Sequence, residues 1–249
     1  MSYCSSCLAE FDASTGKACP HCGYLAGNTP LDKAFTVQAH RTKGPGLIKL
    51  AVAIDRTESS RAFQAGMKAI LADTFTFIGN MVSKLDIDLW SYGDETCQEQ
   101  PVQLVQSGDA RQVLETAQGI CFSGGFDIPE THATQVERLV TVTSWGVSLL
   151  GCRNVILAMM TGDTKPAASG RSMKAIGADM KAKRIKLILV AEPTQNLRDL
   201  VSAADGFLIE ITNNPDSDEI KRVTNRLCAT LTLPLSAGSG TIPISAVVE

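Results

Sequence analysis

Between residues 47 and 211 the chain repeats one pattern: a short apolar run with hardly a polar face, then a longer segment whose apolar residues recur every three or four positions. The apolar runs fall at 47–54, 87–92, 154–160, 185–190 and 207–211. A strand that is apolar on both faces needs cover on both sides, as in a parallel sheet sandwiched by helices. The intervening segments supply that cover. Residues 61–82 place Phe63, Met67, Ile70, Leu71, Phe75, Ile78 and Val82 on one helical stripe. A helix over 129–150 carries Val136, Leu139, Val140, Val147 and Leu150, with Thr143 interrupting the stripe. Shorter helices are expected over 110–118, 171–183 and 197–203, and a last one over 216–231. Pro101 marks 101–105 as an edge strand, where the missing donor is tolerated. The alternation predicts the α/β class: a doubly wound, mostly parallel sheet.

The first 22 residues follow a different logic. Cys4, Cys7, Cys19 and Cys22 form two Cys-x2-Cys turns separated by 11 residues, while Cys97, Cys121, Cys152 and Cys228 are scattered singly. Two such turns supply four thiolates for a tetrahedral Zn²⁺ site, and Gly23 follows with the backbone freedom such a turn needs. A disulfide pair or a redox Cys-x2-Cys is the alternative, but neither needs two turns this close together. The segment has almost no apolar material, so Zn²⁺ binding must supply its folding free energy. It resembles the short zinc ribbons at the termini of many bacterial and archaeal proteins. The scattered cysteines are expected as buried core thiols.

These features divide the chain into a zinc ribbon at 1–27, a linker or wrapping arm at 28–46, an α/β domain at 47–231 and a C-terminal tail at 232–249. Composition limits the setting. There are 23 Lys and Arg against 26 Asp and Glu, a formal charge of −3, which disfavours a broad nucleic-acid surface. No apolar run approaches the roughly 18–20 residues of a membrane span, and residues 1–30 lack the pattern of a signal peptide. A soluble, cytoplasmic chain with no membrane contact is the expectation.

In a sheet of this kind, ligands sit outside the carboxyl ends of the parallel strands. Asp55-Arg56-Thr57-Glu58-Ser59 follows the first strand, Ser123-Gly124-Gly125-Phe126-Asp127-Ile128-Pro129-Glu130 leads into the second long helix, and Thr161-Gly162-Asp163 ends the strand over 154–160. Asp55 with hydroxyls two and four residues on is an oxygen-only donor set suited to Mg²⁺ or Mn²⁺. Other readings exist for each residue. Ser59 or Ser60 is a fair helix N-cap, Asp127 with Glu130 has capping-box spacing, and Asp163 stands in a turn-like stretch. His40 and His132 have no partner at ligand spacing and read as solvated or helix-surface residues.

Together the three segments resemble the von Willebrand factor A domain, a Rossmann-like fold, and its metal-ion-dependent adhesion site (MIDAS). The resemblance covers roughly 47–231 and implies a non-enzymatic protein-interaction module of the bacterial intracellular kind. In it a Mg²⁺ or Mn²⁺ ion docks a carboxylate from a partner protein's Asp or Glu. By the match, Asp55, Thr57 and Ser59 are the first-loop ligands, Asp127 serves in the second loop where Phe126 replaces a common threonine, and Asp163 in the third. The third loop inverts the common Thr-Asp-Gly order to Thr161-Gly162-Asp163. The ribbon would act as a second contact or brace. An enzyme is the competing class: Asp55 after a hydrophobic strand resembles the nucleophile loop of haloacid dehalogenase-like phosphatases, but Thr57 stands where their general acid is required. A nucleic-acid-linked scaffold is the third.

Overall fold

The computed structural model describes Ser2–Tyr3, Glu10–Phe11 and residues 44–125, 129–146 and 152–232. Strand β1 (Ser2–Tyr3) pairs antiparallel with β2 (Glu10–Phe11), bracketing the first Cys-x2-Cys in sequence. Cys4, Cys7, Cys19 and Cys22, His40, the linker over 28–43, Asp127 and the tail beyond 232 lie outside the described residues.

The large domain is a six-stranded sheet with the order β5-β4-β3-β6-β7-β8. Its strands are β3 (Gly44–Asp55), β4 (Val82–Tyr92), β5 (Val102–Gly108), β6 (Cys152–Met159), β7 (Ile185–Ala191) and β8 (Phe207–Glu210). All pairings are parallel except β4 with β5, at the edge that Pro101 precedes. The α/β, mostly parallel architecture matches the expectation from sequence.

Side chains alternate across each strand and so divide into two cores. Ile48, Leu50, Val52 and Ile54 of β3, with Val155, Leu157 and Met159 of β6, face one side. There they meet α1 (Gln64–Met81), α2 (Ala110–Gln118) and α6 (Ser217–Thr232) through residues such as Phe63, Phe75, Val113 and Leu227. Ala51, Ala53, Ile156 and Ala158 face the other side, under α3 (His132–Val142), α4 (Met173–Ala182) and α5 (Gln195–Ala203). Local signals set many of the ends. The Asp109 carboxylate caps α2 by accepting from Gln112 N at 2.9 Å, and the Ser172 hydroxyl caps α4 by accepting from Ala175 N at 3.2 Å.

The expected helix over 129–150 is much shorter. At its start, Glu130 forms a parallel bridge with Thr164, its N–H donating to Asp163 O, and this extended pairing delays the helix to His132. At its end, Thr143 takes an extended conformation, Trp145 Nε1 donates to Val140 O at 3.2 Å, and the Asn154 amide grips Gly146 at both N and O, at 3.0 and 2.8 Å. The interruption of the stripe at Thr143 is where the helix stops. Two further expectations are corrected. His132 is fully buried rather than on a helix surface. Of the scattered cysteines only Cys152 and Cys228 are buried; Cys97 is half-buried and Cys121 exposed.

Candidate functional site

Strand order reverses between β3 and β6: the chain leaves β3 toward β4 and later builds outward from β6 in the other direction. The loops after these two strands therefore diverge and leave a crevice at their carboxyl ends. Asp55, the last residue of β3, lies in that crevice with no solvent exposure.

Its first loop is a local structure that the sequence dictates. Asp55 Oδ1 accepts from Thr57 N at 2.9 Å and from Thr57 Oγ1 at 2.8 Å, the turn an Asp makes with the backbone two residues on. Thr57 Oγ1 lies 2.9 Å from Ser59 Oγ. Asp55 Oδ2 accepts from Ser60 Oγ at 2.6 Å and stands 3.5 Å from Thr161 Oγ1. Thr161 Oγ1 is in turn 2.7 Å from Ser60 Oγ and 3.4 Å from Ser59 Oγ.

The protons of this cluster can be assigned by accounting. A hydroxyl donates once. Thr57 and Ser60 spend their protons on Asp55, so Ser59 donates to Thr57 and Thr161 to Ser60. Every proton then runs inward toward one carboxylate, and Ser59 Oγ, at the exposed rim, keeps its lone pairs free.

Neighbouring loops fix this arrangement. Arg56 N donates to Tyr92 O, Ser123 N to Arg56 O and Glu58 N to Gly124 O, each at 2.9 Å. Gly124 and Gly125 have φ of +83° and +68°, and a Cβ at Gly125 would stand 2.7 Å from Thr57 Cβ. Only glycine lets this loop close on Thr57. Glu130, 2% exposed, brings its carboxylate beside Gly125. Asp94 is buried and paired with Lys165 at 2.9 Å.

Beneath the cluster, His132 Nε2 lies 2.8 Å from Thr161 O and Nδ1 lies 3.0 Å from Tyr92 Oη. A carbonyl only accepts, so Nε2 carries the proton and Nδ1 accepts from the Tyr92 hydroxyl. Burial holds the imidazole pKa below its ordinary value, against the pull of Asp55, the Thr161 carbonyl and other nearby acids. Burial also raises the Tyr92 phenol well above its ordinary range, with Asp55 and Glu130 adding to the effect.

Of the residues singled out in the sequence, Asp55, Thr57 and Ser59 come together. Asp163 shares the same sheet edge but its carboxylate is committed elsewhere. It accepts from Thr194 Oγ1 at 2.7 Å, Thr164 N at 2.8 Å and Asn196 Nδ2 at 3.2 Å. Burial works to raise its pKa, and these hydrogen bonds outweigh that and lower it. Neither serine caps a helix: Ser60 serves Asp55, and Phe63 stands at the N-cap of α1 with no side-chain cap. The sequence pattern does not mark Ser60, Thr161 or His132 as site residues, and only the fold brings them to Asp55. Among the described residues no group of three or more His, Cys, Asp or Glu side chains is placed to hold a metal ion. The donor set is instead one carboxylate with several hydroxyls. Its all-oxygen chemistry, with protons drawn inward, fits a hard divalent cation.

No family model matches the chain, and no curated protein matches it. Among solved structures, the crystal structure of the SpRpn10 VWA domain aligns at 14% identity with a TM-score of 0.49, over 72% of this chain and 95% of that one. No helix among the described residues is long and apolar enough to cross a membrane.

Proposed function

We propose that this chain is a non-enzymatic protein-interaction adaptor whose VWA-like domain docks an Asp or Glu carboxylate of a partner at a MIDAS-type site built on Asp55. One observation carries the reading. Asp55 is fully buried at the crevice and receives only hydroxyl and amide donors, with no cationic side chain against it among the described residues. Buried carboxylates are ordinarily paired with a cation or bound to a metal.

Asp55, Thr57 and Ser59 would hold Mg²⁺ or Mn²⁺, with Asp127 completing the set. Asp55 draws the hydroxyl protons inward, Ser59 keeps its oxygen lone pairs free at the exposed rim, and Gly124 and Gly125 let the second loop approach closely. A divalent cation held there supplies positive charge for an anionic oxygen from outside the chain. The four cysteines Cys4, Cys7, Cys19 and Cys22 would bind one Zn²⁺ in a ribbon that adds a second contact or braces the domain.

The test is calorimetric titration of the zinc-loaded full chain with Mn²⁺, in wild type and in Asp55→Ala. Saturable one-site binding in wild type that disappears in Asp55→Ala supports the reading, and equal binding in both sinks it. An extract pull-down in Mg²⁺ with the same two proteins then asks whether capture of a partner follows the cation.

A further inference from the structure

His132 is a fully buried titratable group in this part of the fold that the motif does not use. A buried histidine satisfied by core neighbours is the ordinary case, and its partners decide whether this one is ordinary. Both are tied to the loops of the site. Tyr92 donates through its hydroxyl to His132 Nδ1, while its backbone O takes the N–H of Arg56, next in the chain to Asp55. Thr161 accepts through its carbonyl from His132 Nε2, while its hydroxyl meets Ser60 Oγ at 2.7 Å. Ser60 donates to Asp55. The contacts close a ring from Asp55 through Tyr92, His132, Thr161 and Ser60 back to Asp55, and the imidazole joins the end of β4 to the loop after β6. Among the described residues His132 is the group that donates to the Thr161 carbonyl, so without it that backbone oxygen loses its anchor and only the hydroxyl contact holds the residue in place.

We propose that His132 is a positioning residue for the cation site, in which the imidazole holds the Thr161 carbonyl and so sets the Thr161 hydroxyl against Ser60 and Asp55. The inference rests on the cation reading above. It assigns His132 no contact with the cation or with a partner. The imidazole acts through Thr161, in the way that hydrogen-bonded groups behind metal ligands orient them.

The test measures Mn²⁺ affinity by calorimetry on the zinc-loaded full chain, with far-UV circular dichroism and thermal melting for each variant. His132→Leu removes both hydrogen bonds, and the expected result is a Mn²⁺ Kd raised about tenfold or more. His132→Gln keeps one donor for Thr161 and one acceptor for Tyr92. It is expected to recover most of the affinity even where its melting temperature stays as low as that of His132→Leu. Tyr92→Phe removes only a hydroxyl and is expected to raise the Kd a few-fold. A purely structural histidine would lower melting temperatures and leave the Kd of the folded protein alone. A folded His132→Leu with wild-type Kd therefore overturns the inference. If His132→Leu does not fold, Tyr92→Phe decides: wild-type affinity there overturns it and weakened affinity supports it. Wild-type protein that binds no Mn²⁺ overturns the cation reading itself, an outcome separate from any variant's.

Discussion

Strand β3 carries two buried polar clusters, one at mid-strand and one at its carboxyl end, and they are built on opposite principles. At mid-strand, Lys49 is 3% exposed and donates to Asp86 at 2.8 Å, Asp88 at 2.9 Å and Ser107 at 3.2 Å. All three ammonium protons are used, and Asp88 Oδ1 also accepts from Ser107 N at 2.7 Å. Six residues on, and so on the same face of the strand, Asp55 receives only hydroxyl and amide donors. The first cluster is closed by charges of this chain and ties β3 to β4 and β5. The second lacks a cation of its own among the described residues and opens at the exposed Ser59. A satisfied ion network is a structural device; on the function proposed above, a carboxylate ringed by hydroxyls at a strand-order reversal would be a binding one.

The largest effect should come from breaking the closed cluster. Lys49→Met strands two carboxylates in a buried site, and unpairing a buried ion network costs about 3–5 kcal/mol. Urea denaturation should show that loss, while Mn²⁺ affinity of the folded fraction stays at the wild-type value. A stability change under 1 kcal/mol, on the order of an exposed pair, would mean the two clusters of β3 are not different in kind. The alkaline limb adds a second check. Burial pulls the Lys49 pKa down, but Asp86 and Asp88 outweigh it and raise the pKa above the ordinary 10.5. A raised pKa contributes stability that is whole below 10.5 and fades as pH climbs through the folded value. Wild type should show that limb and Lys49→Met should lack it.

Asp55→Asn is the matching cut at the open cluster. The amide keeps an acceptor for Thr57 N, and its new donors face hydroxyls that can rotate, so cation-free stability should fall by only about 1–2 kcal/mol. Linkage to the cation should vanish. Mn²⁺ at 100 times its Kd should stabilise wild type by about 2.7 kcal/mol and leave Asp55→Asn unmoved. Equal stabilisation of both proteins would move the cation away from Asp55.

Gly125→Ala tests whether the loop over the open cluster is as constrained as its geometry says. At φ +68°, with a new Cβ at 2.7 Å from Thr57 Cβ, the substitution should cost about 1–3 kcal/mol and weaken Mn²⁺ binding by displacing Thr57. Lost stability with unchanged affinity would show that Thr57 is not a donor.

How much of this the sequence discloses depends on range. Helix α2 is legible to the residue, because Asp109 and Gly119 mark both ends locally. Strands β6 and β7 are legible because burial on both faces leaves nearly unbroken apolar runs. Helix α3 is legible only in part: Thr143 interrupts the stripe where the helix stops, but the Glu130–Thr164 bridge that delays its start and the Asn154 grip on Gly146 beyond its end are tertiary contacts that no helical periodicity encodes. The site divides in the same way. Asp55, Thr57 and Ser59 fall within one turn of chain and show in the sequence. The contacts that bring Thr161 to Ser60 and Asp55 span 101 and 106 residues. His132 has no ligand spacing at all, and only the fold puts it between Tyr92 and Thr161.

Asp163 is where sequence and geometry pull apart most, and it gives the smallest predicted effect. Thr194, Thr164 and Asn196 engage its carboxylate at the start of α5, so Asp163→Asn should reduce Mn²⁺ affinity far less than Asp55→Asn does. Its lowered pKa contributes stability that is whole above the ordinary 3.8 and is lost as pH falls through the folded value. An acid titration of stability should therefore be slightly shallower in the variant, with no change at neutral pH beyond the exchanged hydrogen bonds. If Asp163→Asn instead abolishes Mn²⁺ binding as fully as Asp55→Asn, the carboxylate must leave Thr194 and Asn196 to join Asp55 when the cation binds. The third loop would then be a moving part of the site, and the inverted Thr161-Gly162-Asp163 order, with Gly162 at φ +77°, would be what lets it swing.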